Sequence, residues 1–284
     1  MGHMRTINFK INSKDSGKKI KDFLKSFGVS SSLITKLKQS PAGIKLNGRG
    51  AKAIDTLTEG DELQINIESH GKMPTPSGEE VEILYEDEDL IAVNKPPFMP
   101  VHESRNHRGD TLSNAIAGYV DENTAFRAIY RLDKDTSGIV LVAKNELAAS
   151  KLAGNVKKDY YAVATKNIGE EGTINAPIAR EGDSIIKRCV RPDGESAVTH
   201  YTRVKIGENG TLYKIHLETG RTHQIRVHFA HMGSPLVGDT LYGGNDKLIE
   251  RQALHCKNIY FEHPITGEEI KVESNLPQDM LSLI

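Results

Sequence analysis

One acidic residue, Asp133, lies in a turn where basic residues flank it on both sides. It belongs to the segment RLDKDTSG (residues 131–138), which precedes a strand-like apolar run at residues 139–143. The Asp-Thr-Ser-Gly end of this segment is typical of a turn that joins two elements. A carboxylate held there could act as a nucleophile or as a base. Taken alone, however, the segment is better explained as an ordinary polar turn.

Two further segments change this interpretation. They are KDYYA (residues 158–162) and LETGRTHQIRVH (residues 217–228). Together with residues 131–138, in this order and at this spacing, they resemble the signature motifs of RluA/RluD-type RNA pseudouridine synthases. The first motif of that family usually reads His-Arg-Leu-Asp, and here Tyr130 occupies the position of the histidine. With VNKPP (residues 93–97), the resemblance covers most of the chain.

The resemblance implies an isomerase that converts uridine in RNA to pseudouridine. Its reaction breaks the C1′–N1 glycosidic bond, turns the uracil and rejoins it through C5, so it requires no cofactor. Asp133 would be the essential carboxylate. It would either attack C1′ or remove a proton from the sugar, and the sequence leaves both routes open. The target base must leave its stack before either step.

The resemblance also assigns roles to other motif residues. Arg221 would be the basic partner that keeps Asp133 ionised, and Tyr160 would lie against the flipped uracil. Arg131 would fill the gap that the extruded base leaves. The residues alone also permit an exposed ion pair for Arg221 and a place in the core for Tyr160. The remaining substrate-binding candidates are Lys158 and Gln224.

The N-terminal part of the chain is basic, although the whole protein carries a net charge of −1. Residues 4–69 contain 12 Lys and Arg but only seven Asp and Glu. Such a surface suits a nucleic-acid backbone, which binds cations with release of counterions, but a solvated lysine face is the simpler alternative. The candidate RNA-binding residues are Lys18, Lys19, Lys36 and Lys38.

Local patterns in this basic part sharpen the prediction. Apolar residues recur at helical spacing in residues 17–24 and 33–37, and strand-like alternation follows at residues 43–48 and 61–67. This order resembles an S4-type RNA-binding domain, a small module that often precedes the catalytic domain in the same family. The arginines usual near residues 30–32 are absent, which departs from the S4 pattern.

Gly, Pro and Ser concentrate at residues 70–78, as expected of an inter-domain linker. We therefore predict an S4-like domain at residues 4–69 and a pseudouridine synthase catalytic domain at residues 79–284. Strands and helices of the latter do not alternate strictly, so the pattern favours an α+β fold on a mixed or antiparallel sheet. The predicted strands are residues 82–85, 90–93, 138–144, 160–165, 198–206, 212–218 and 253–261, and the predicted helices are residues 111–120, 146–155 and 222–232.

Other kinds of site are disfavoured. His223 and His228 would lie about 140° apart around a helix, so they cannot share a metal ion. The glycine-rich segments lack the Lys and Ser of a phosphate-binding loop. Cys189 and Cys256 form no Cys-x-x-Cys pair and indicate no disulfide framework. We therefore expect a cytoplasmic protein without a metal site.

The expected partner is RNA, with ribosomal RNA favoured over tRNA because S4-like modules often accompany ribosomal substrates in this family. No apolar run reaches the length of a membrane span, no obligate protein partner is evident, and we expect a monomer. Two alternatives stay open, a non-catalytic RNA-binding or ribosome-assembly factor on the same fold and a tRNA-directed synthase. A glycosidase-like enzyme fits less well, because it needs a second carboxylate such as Asp135 and the chain contains no Trp.

Overall fold

In a computed structural model, the chain is described over residues 4–68, 73–120 and 124–284. Residues 69–72, which include the start of the predicted linker, lie outside the described residues. None of the helices in the described part combines the length and the apolar character that crossing a bilayer requires.

The helices are α1 (Ile20–Ser26), α2 (Ser31–Gln39), α3 (Leu112–Tyr119), α4 (Glu146–Leu152), α5 (Gln224–His231) and α6 (Gln278–Leu281), with a 3₁₀ turn at Thr240–Tyr242. The strands are β1 (Met4–Lys10), β2 (Ile44–Leu46), β3 (Arg49–Gly50), β4 (Glu62–Glu68), β5 (Glu82–Glu86), β6 (Leu90–Lys95), β7 (Arg127–Ala128), β8 (Ser137–Ala143), β9 (Lys157–Ala164), β10 (Glu171–Asn175), β11 (Ile178–Arg180), β12 (Arg188–Val190), β13 (Val198–Ile206), β14 (Thr211–Leu217), β15 (Leu254–Glu262) and β16 (Glu269–Glu273).

The N-terminal residues form a small antiparallel sheet in the order β1-β4-β2-β3, with α1 and α2 packed against it. The helical spacing seen in the sequence has its physical basis here, because Ile20, Phe23 and Leu24 of α1 are all buried in the same core. Helix α2 begins at Ser31, two residues before the predicted helical spacing, because the hydroxyl of Ser30 caps it by accepting a hydrogen bond from the amide of Leu33 at 3.1 Å.

The rest of the chain is built on a ten-stranded sheet in the order β10-β13-β14-β9-β15-β8-β6-β5, with β16 beside β15 and β7 beside β8. Most pairs are antiparallel, but β15 and β8 run parallel where His255 pairs with Ser137 and Cys256 with Gly138. The α+β prediction with a mixed sheet is therefore confirmed. Every residue of β8 is buried, as expected of a central strand covered on both faces.

The parallel pairing explains the glycine of the first motif. Gly138 has a φ of +113°, and a Cβ atom on it would lie 2.3 Å from the carbonyl oxygen of Cys256. Only glycine permits this conformation and this close approach of two backbones. The loop that carries Asp133 thus enters the centre of the sheet immediately beside β15.

Candidate active site

The carboxylate of Asp133 lies in the loop before β8, and 32% of the side chain is exposed. The backbone carbonyl of Asp133 accepts a hydrogen bond from the amide of Thr136 at 3.1 Å, so the predicted turn is present. The exposed part of the carboxylate can contact a substrate, while the rest of the side chain contacts the protein.

A buried arginine of α5 is the cation beside Asp133. Nη1 of Arg226 lies 3.3 Å from Oδ2 of Asp133. Nε and Nη2 of the same guanidinium donate to the two carboxylate oxygens of Asp239 at 2.7 and 2.8 Å, and Asp239 is only 1% exposed. This paired geometry fixes the plane of the guanidinium, so its remaining edge faces Asp133. The guanidinium also lies 5.1 Å from the centre of the Tyr242 ring.

A histidine lies on the same side of Asp133. His223 directly precedes α5 with a left-handed φ of 57°, which histidine adopts more readily than most residues. Its Nδ1 lies 2.8 Å from the hydroxyl of Tyr242, and that hydroxyl accepts a hydrogen bond from the amide of Arg188 at 3.0 Å. The hydroxyl proton is therefore available to Nδ1, and we assign the ring proton to Nε2, 3.7 Å from Oδ2 of Asp133.

The protonation state of His223 follows from its surroundings. Burial lowers the pKa of His223, the Asp133 charge acts in the opposite direction, and Arg226 adds to the lowering. A neutral ring with its proton on Nε2 can donate to a carboxylate or to a substrate oxygen.

A buried ammonium group holds the backbone after Asp133. Nζ of Lys95, which is fully buried, donates to the carbonyl of Lys134 at 2.9 Å and to two further carbonyls, those of Pro96 and Met99. Burial lowers the pKa of Lys95 to about 7. The three carbonyls favour the ammonium form, because each can only accept a hydrogen bond and only the ammonium group has three N–H donors.

The opposite side of this loop is held by the residues that lead into β15. Nη1 of Arg251 lies 3.4 Å from the carbonyl oxygen of Asp135, and its Nε and Nη2 bind the carboxylate of Asp279 in α6 at 2.7 and 2.9 Å. Two neighbouring contacts continue the pattern, Gln252 with Thr136 at 3.1 Å and His255 with Ser137 at 2.9 Å. Successive residues after Asp133 are therefore each bound by the protein, which restricts the position of the carboxylate.

Tyr160 of β9 is buried. It is 7% exposed, and burial raises its pKa well above the ordinary value, with the charges of Cys256 and Asp133 adding to the effect. The phenol therefore keeps its proton. This burial agrees with the alternative of a core tyrosine, and the contact of Tyr160 with the extruded uracil stays a prediction.

Tyr130, which replaces the usual histidine, holds the start of the motif. Its hydroxyl donates to the carbonyl of Ile139 at 3.0 Å, and Nζ of Lys158 lies 4.5 Å from the centre of its ring. Lys158 also donates to the carbonyl of Val156 at 3.0 Å, and burial lowers its pKa. Lys158 is thus turned to the Tyr130 ring, and its contact with substrate stays a prediction.

The predicted pairing of Arg221 with Asp133 is wrong. Nη1 of Arg221 lies 2.5 Å from Glu195, and its Nε donates to the carbonyl of Ser196 at 3.0 Å. The reason is the start of the helix, because α5 begins at Gln224 and leaves Arg221 in the preceding loop. The role expected of a cation beside the carboxylate falls instead to Arg226, the second arginine of the same segment.

The predicted substrate contact of Gln224 is also contradicted. Gln224 is 2% exposed. Its Oε1 accepts hydrogen bonds from the hydroxyl of Thr219 and the amide of Arg221, at 2.8 and 3.0 Å. Its Nε2 donates to the carbonyl of Val198 and the hydroxyl of Thr199, both at 3.0 Å. All of its hydrogen-bonding capacity is used within the protein, so Gln224 joins α5 to β13.

The four candidate lysines of the N-terminal part differ in their surroundings. Lys18 pairs with Asp15 at 2.7 Å, and Lys36 pairs with Glu146 of α4, while Lys19 is exposed just before α1. Lys38 lines a groove of about 520 Å³ between α1, α2 and residues 51–54. The sequence did not single out this groove, whose other cationic residues are Lys21, Lys25 and Lys52.

A separate cluster of three side chains is spaced as metal ligands could be. Its members are Asp87, Asp89 and His263. Nδ1 of His263 accepts hydrogen bonds from two backbone amides, those of Ile265 and Thr266. Nε2 therefore carries the ring proton and donates to Asp87 at 2.9 Å. Neither nitrogen offers a lone pair to a metal ion, so this cluster is a hydrogen-bonded network.

Comparison with known proteins agrees with the geometry. A profile described as RNA pseudouridylate synthase matches residues 89–231. The uncharacterized RNA pseudouridine synthase YjbO of Bacillus subtilis (strain 168) is 42% identical, over 93% of this chain and 98% of its own length. Ribosomal large subunit pseudouridine synthase D of Pseudomonas aeruginosa is 41% identical, over 72% of this chain and 71% of its own length.

Among solved structures, human RNA Pseudouridylate Synthase Domain Containing 1 superposes with a TM-score of 0.60 and 27% identity. The match covers 74% of this chain and 89% of the human one. The matched profile includes Asp133 with its partly exposed carboxylate, the adjacent Arg226 and the buried Tyr160. The chain therefore belongs to the RNA pseudouridine synthase family, and it is an isomerase that converts uridine in RNA to pseudouridine.

Proposed function

We propose that the substrate is ribosomal RNA. The observation that carries this proposal is the identity of 41% with a ribosomal large subunit pseudouridine synthase D, and the Xanthomonas campestris protein of the same name is 38% identical over 84% of this chain. A transfer RNA substrate is the second candidate. An rRNA substrate would place the protein in the cytoplasm, where ribosomes mature.

The test uses RNA carrying tritium at C5 of uridine, because formation of the new C5 bond must displace that hydrogen. Large-subunit rRNA transcripts and a pool of tRNA transcripts are incubated with the purified protein at equal uridine concentration. Release from rRNA with little release from tRNA supports the proposal. Release from tRNA alone contradicts the choice of substrate while it leaves the reaction in place.

For the chemistry, we propose that Asp133 is the reacting carboxylate. Three features support this role: its partial exposure, the fixed guanidinium of Arg226 beside it and the neutral ring of His223. The guanidinium of Arg226 places a positive charge beside the carboxylate, and both the nucleophilic and the proton-abstracting route use the ionised carboxylate. The two routes share these contacts.

We further propose roles for the two residues next to Asp133 that would contact the RNA bases. Arg131 is exposed two residues before Asp133, so its guanidinium can stack where the target base has left the helix. Tyr160 is buried, and the charge of Asp133 acts on its phenol; its ring would offer a flat surface to the extruded uracil.

The basic N-terminal residues are proposed to form a separate S4-like RNA-binding domain at residues 4–69, joined by the linker 70–78 to a catalytic domain at residues 79–284. Its own apolar core and the groove with four lysines support this division. Four ammonium groups around one groove suit the phosphates of an RNA strand. We also propose that the protein acts as a monomer.

A further inference from the structure

The basic N-terminal part is joined to the rest of the chain by specific side-chain contacts. Nε and Nη2 of Arg5 in β1 donate to the two carboxylate oxygens of Asp89 at 2.9 and 2.8 Å. Nη1 of Arg5 lies 2.7 Å from Glu88. Asp89 is 2% exposed, so its charge is shielded from solvent and depends on Arg5 for compensation. The buried Arg5–Asp89 pair therefore shows that the N-terminal module packs against the rest of the chain and is not only tethered to it.

Helix α4 contributes to the same contact. Leu147 is fully buried within the core of the N-terminal module, although the next residue, Ala148, belongs to the core of the large sheet. Nζ of Lys151 lies 4.1 Å from the centre of the Phe27 ring. Asn145, which caps the helix by accepting from the amide of Ala148, donates to Asp89 at 2.6 Å. We call the contacts of Arg5, Asp89, Asn145 and Leu147 the docking interface.

The docking interface is connected directly to the catalytic loop. Asp89 immediately precedes β6, and Lys95, the last residue of β6, donates to the carbonyl of Lys134 beside Asp133. Strand β6 is paired on both sides, with β5 and with β8, so it is a stiff element with a length of about 20 Å. One end of this strand therefore bears the N-terminal module, and the other end positions the loop of Asp133.

We propose that the docking interface determines which uridine is modified, by holding the lysine groove at a fixed distance from Asp133. RNA bound in the groove then presents to Asp133 only those uridines that lie at the matching distance. The inference rests on the proposed function, in which the groove binds RNA. It goes further because it makes Arg5, which touches no substrate, a positioning residue for site choice.

The test uses the full-length protein with Arg5→Gln, and Arg49→Gln as the matched control. Arg49 is an exposed arginine of the same module, on β3, so the control removes the same charge without touching the interface. Pseudouridine is mapped at every uridine of a large-subunit rRNA fragment, and tritium release is measured on an RNA too short to reach the groove. For Arg5→Gln, modification of the wild-type target relative to neighbouring uridines should fall about tenfold, because the two RNA contacts are no longer held at one distance.

Release from the short RNA should stay at the wild-type rate in both variants, and Arg49→Gln should keep the wild-type target. Small-angle scattering without RNA should show a larger radius of gyration for Arg5→Gln. An expanded variant that keeps the wild-type pattern of modification would overturn the proposal. If the wild type modified no RNA, the proposed function would be contradicted. The radius of gyration would still show whether the N-terminal module is docked, because that measurement uses no RNA.

A second manipulation leaves Arg5 intact and so does not depend on the folding of Arg5→Gln. A short Gly-Ser insertion after residue 71 lengthens the connection between the two parts. Since docking, and not the connection, sets the distance, the insertion should leave the modified uridine unchanged. A changed target in the inserted protein would show that the connection sets the distance and would contradict the proposal.

Discussion

The carboxylate of Asp133 lies 3.3 Å from Nη1 of Arg226, an arginine five positions beyond the one that the motif first suggested. Because Asp239 binds the other edge of this guanidinium, the carboxylate that we propose to react has a neighbouring cation whose position does not depend on substrate. Preorganised charge of this kind acts on the reaction without rearrangement at the moment of the chemical step.

Asp133→Asn should abolish tritium release from 5-tritiated RNA, because the amide is neither a nucleophile nor a base. RNA affinity should change little, since the substitution removes one charge and almost no volume. Asp135→Asn is the control, as it makes the same change two residues further along the loop. Release by Asp133→Asn at the wild-type rate would exclude Asp133 as the reacting residue.

Asp239→Asn should lower kcat by up to about 100-fold with little change in KM, because Arg226 loses one of its two fixed contacts and its position beside Asp133 relaxes. Stability should fall by less than the roughly 3–5 kcal/mol of a fully broken buried pair, since the amide keeps one acceptor. Steady-state kinetics and urea unfolding measure both effects.

The control for Asp239→Asn is Asp193→Asn, which changes an exposed Arg–Asp pair with Arg191. Such an exposed pair contributes little to stability, so kinetics and stability should both stay near the wild type. Equal loss of kcat in both variants would show that the Arg226–Asp239 pair has no special role.

Arg251→Met should lower kcat by about 10-fold to 100-fold, because the carbonyl of Asp135 loses its buried partner and the loop of Asp133 gains freedom. Asp279→Asn is the matched control. It weakens the contact to α6 but leaves Arg251 on the loop, so stability should fall while kcat stays near the wild type. A control with the same loss of kcat would assign the effect to α6 and not to the loop.

His255 should make the protein sensitive to acid. It is 1% exposed, its Nε2 has no hydrogen-bond partner among the residues that the structure describes, and burial lowers its pKa to about 3. The ordinary value near 6.5 applies to the unfolded chain. Between these two pH values, the unfolded state therefore binds more protons than the folded state. The contribution of the neutral His255 to stability is fully present above about pH 6.5 and is lost as the pH falls towards 3, by up to about 1.4 kcal/mol per pH unit.

Urea unfolding from about pH 7 to about pH 4 measures this loss. His255→Asn keeps a donor and an acceptor for Ser137 but cannot take up the proton, so the difference in stability between wild type and variant should shrink as the pH falls. His231→Asn, at an exposed position of α5, should follow the wild-type curve. Parallel curves for the wild type and His255→Asn would refute the assignment.

Much of the large sheet could be predicted from the sequence, because its strands are long and apolar. The strand Val198–Ile206 agrees residue for residue with its prediction, and α4 and α5 were placed within a few residues of their ends. The strand Glu171–Asn175 was not predicted. It has a single buried residue, and an edge strand with one buried side chain shows no alternating pattern in the sequence.

The site was predicted less completely, for a geometric reason. The order and spacing of the motifs point to Asp133 and Tyr160, whose roles stay predictions, but the motif at residues 217–228 contains both Arg221 and Arg226. Which arginine faces Asp133 depends on where the helix begins, and the left-handed residue His223 determines that point. The contacts of Lys36 with Glu146 and of Arg5 with Asp89 join residues far apart in the chain, so no local pattern could reveal them.

The buried thiol of Cys256 can be used to measure local opening of the protein. Cys256 is fully buried beside Tyr130 and Tyr160, and burial raises the pKa of its thiol to about 12, whereas Cys189 is partly exposed on β12. A thiol reagent should therefore label the native protein in two phases, fast at Cys189 and slow at Cys256. Cys256 pairs with Gly138 at the end of the loop that carries Asp133. The rate of the slow labelling phase therefore measures how often the centre of the large sheet opens locally.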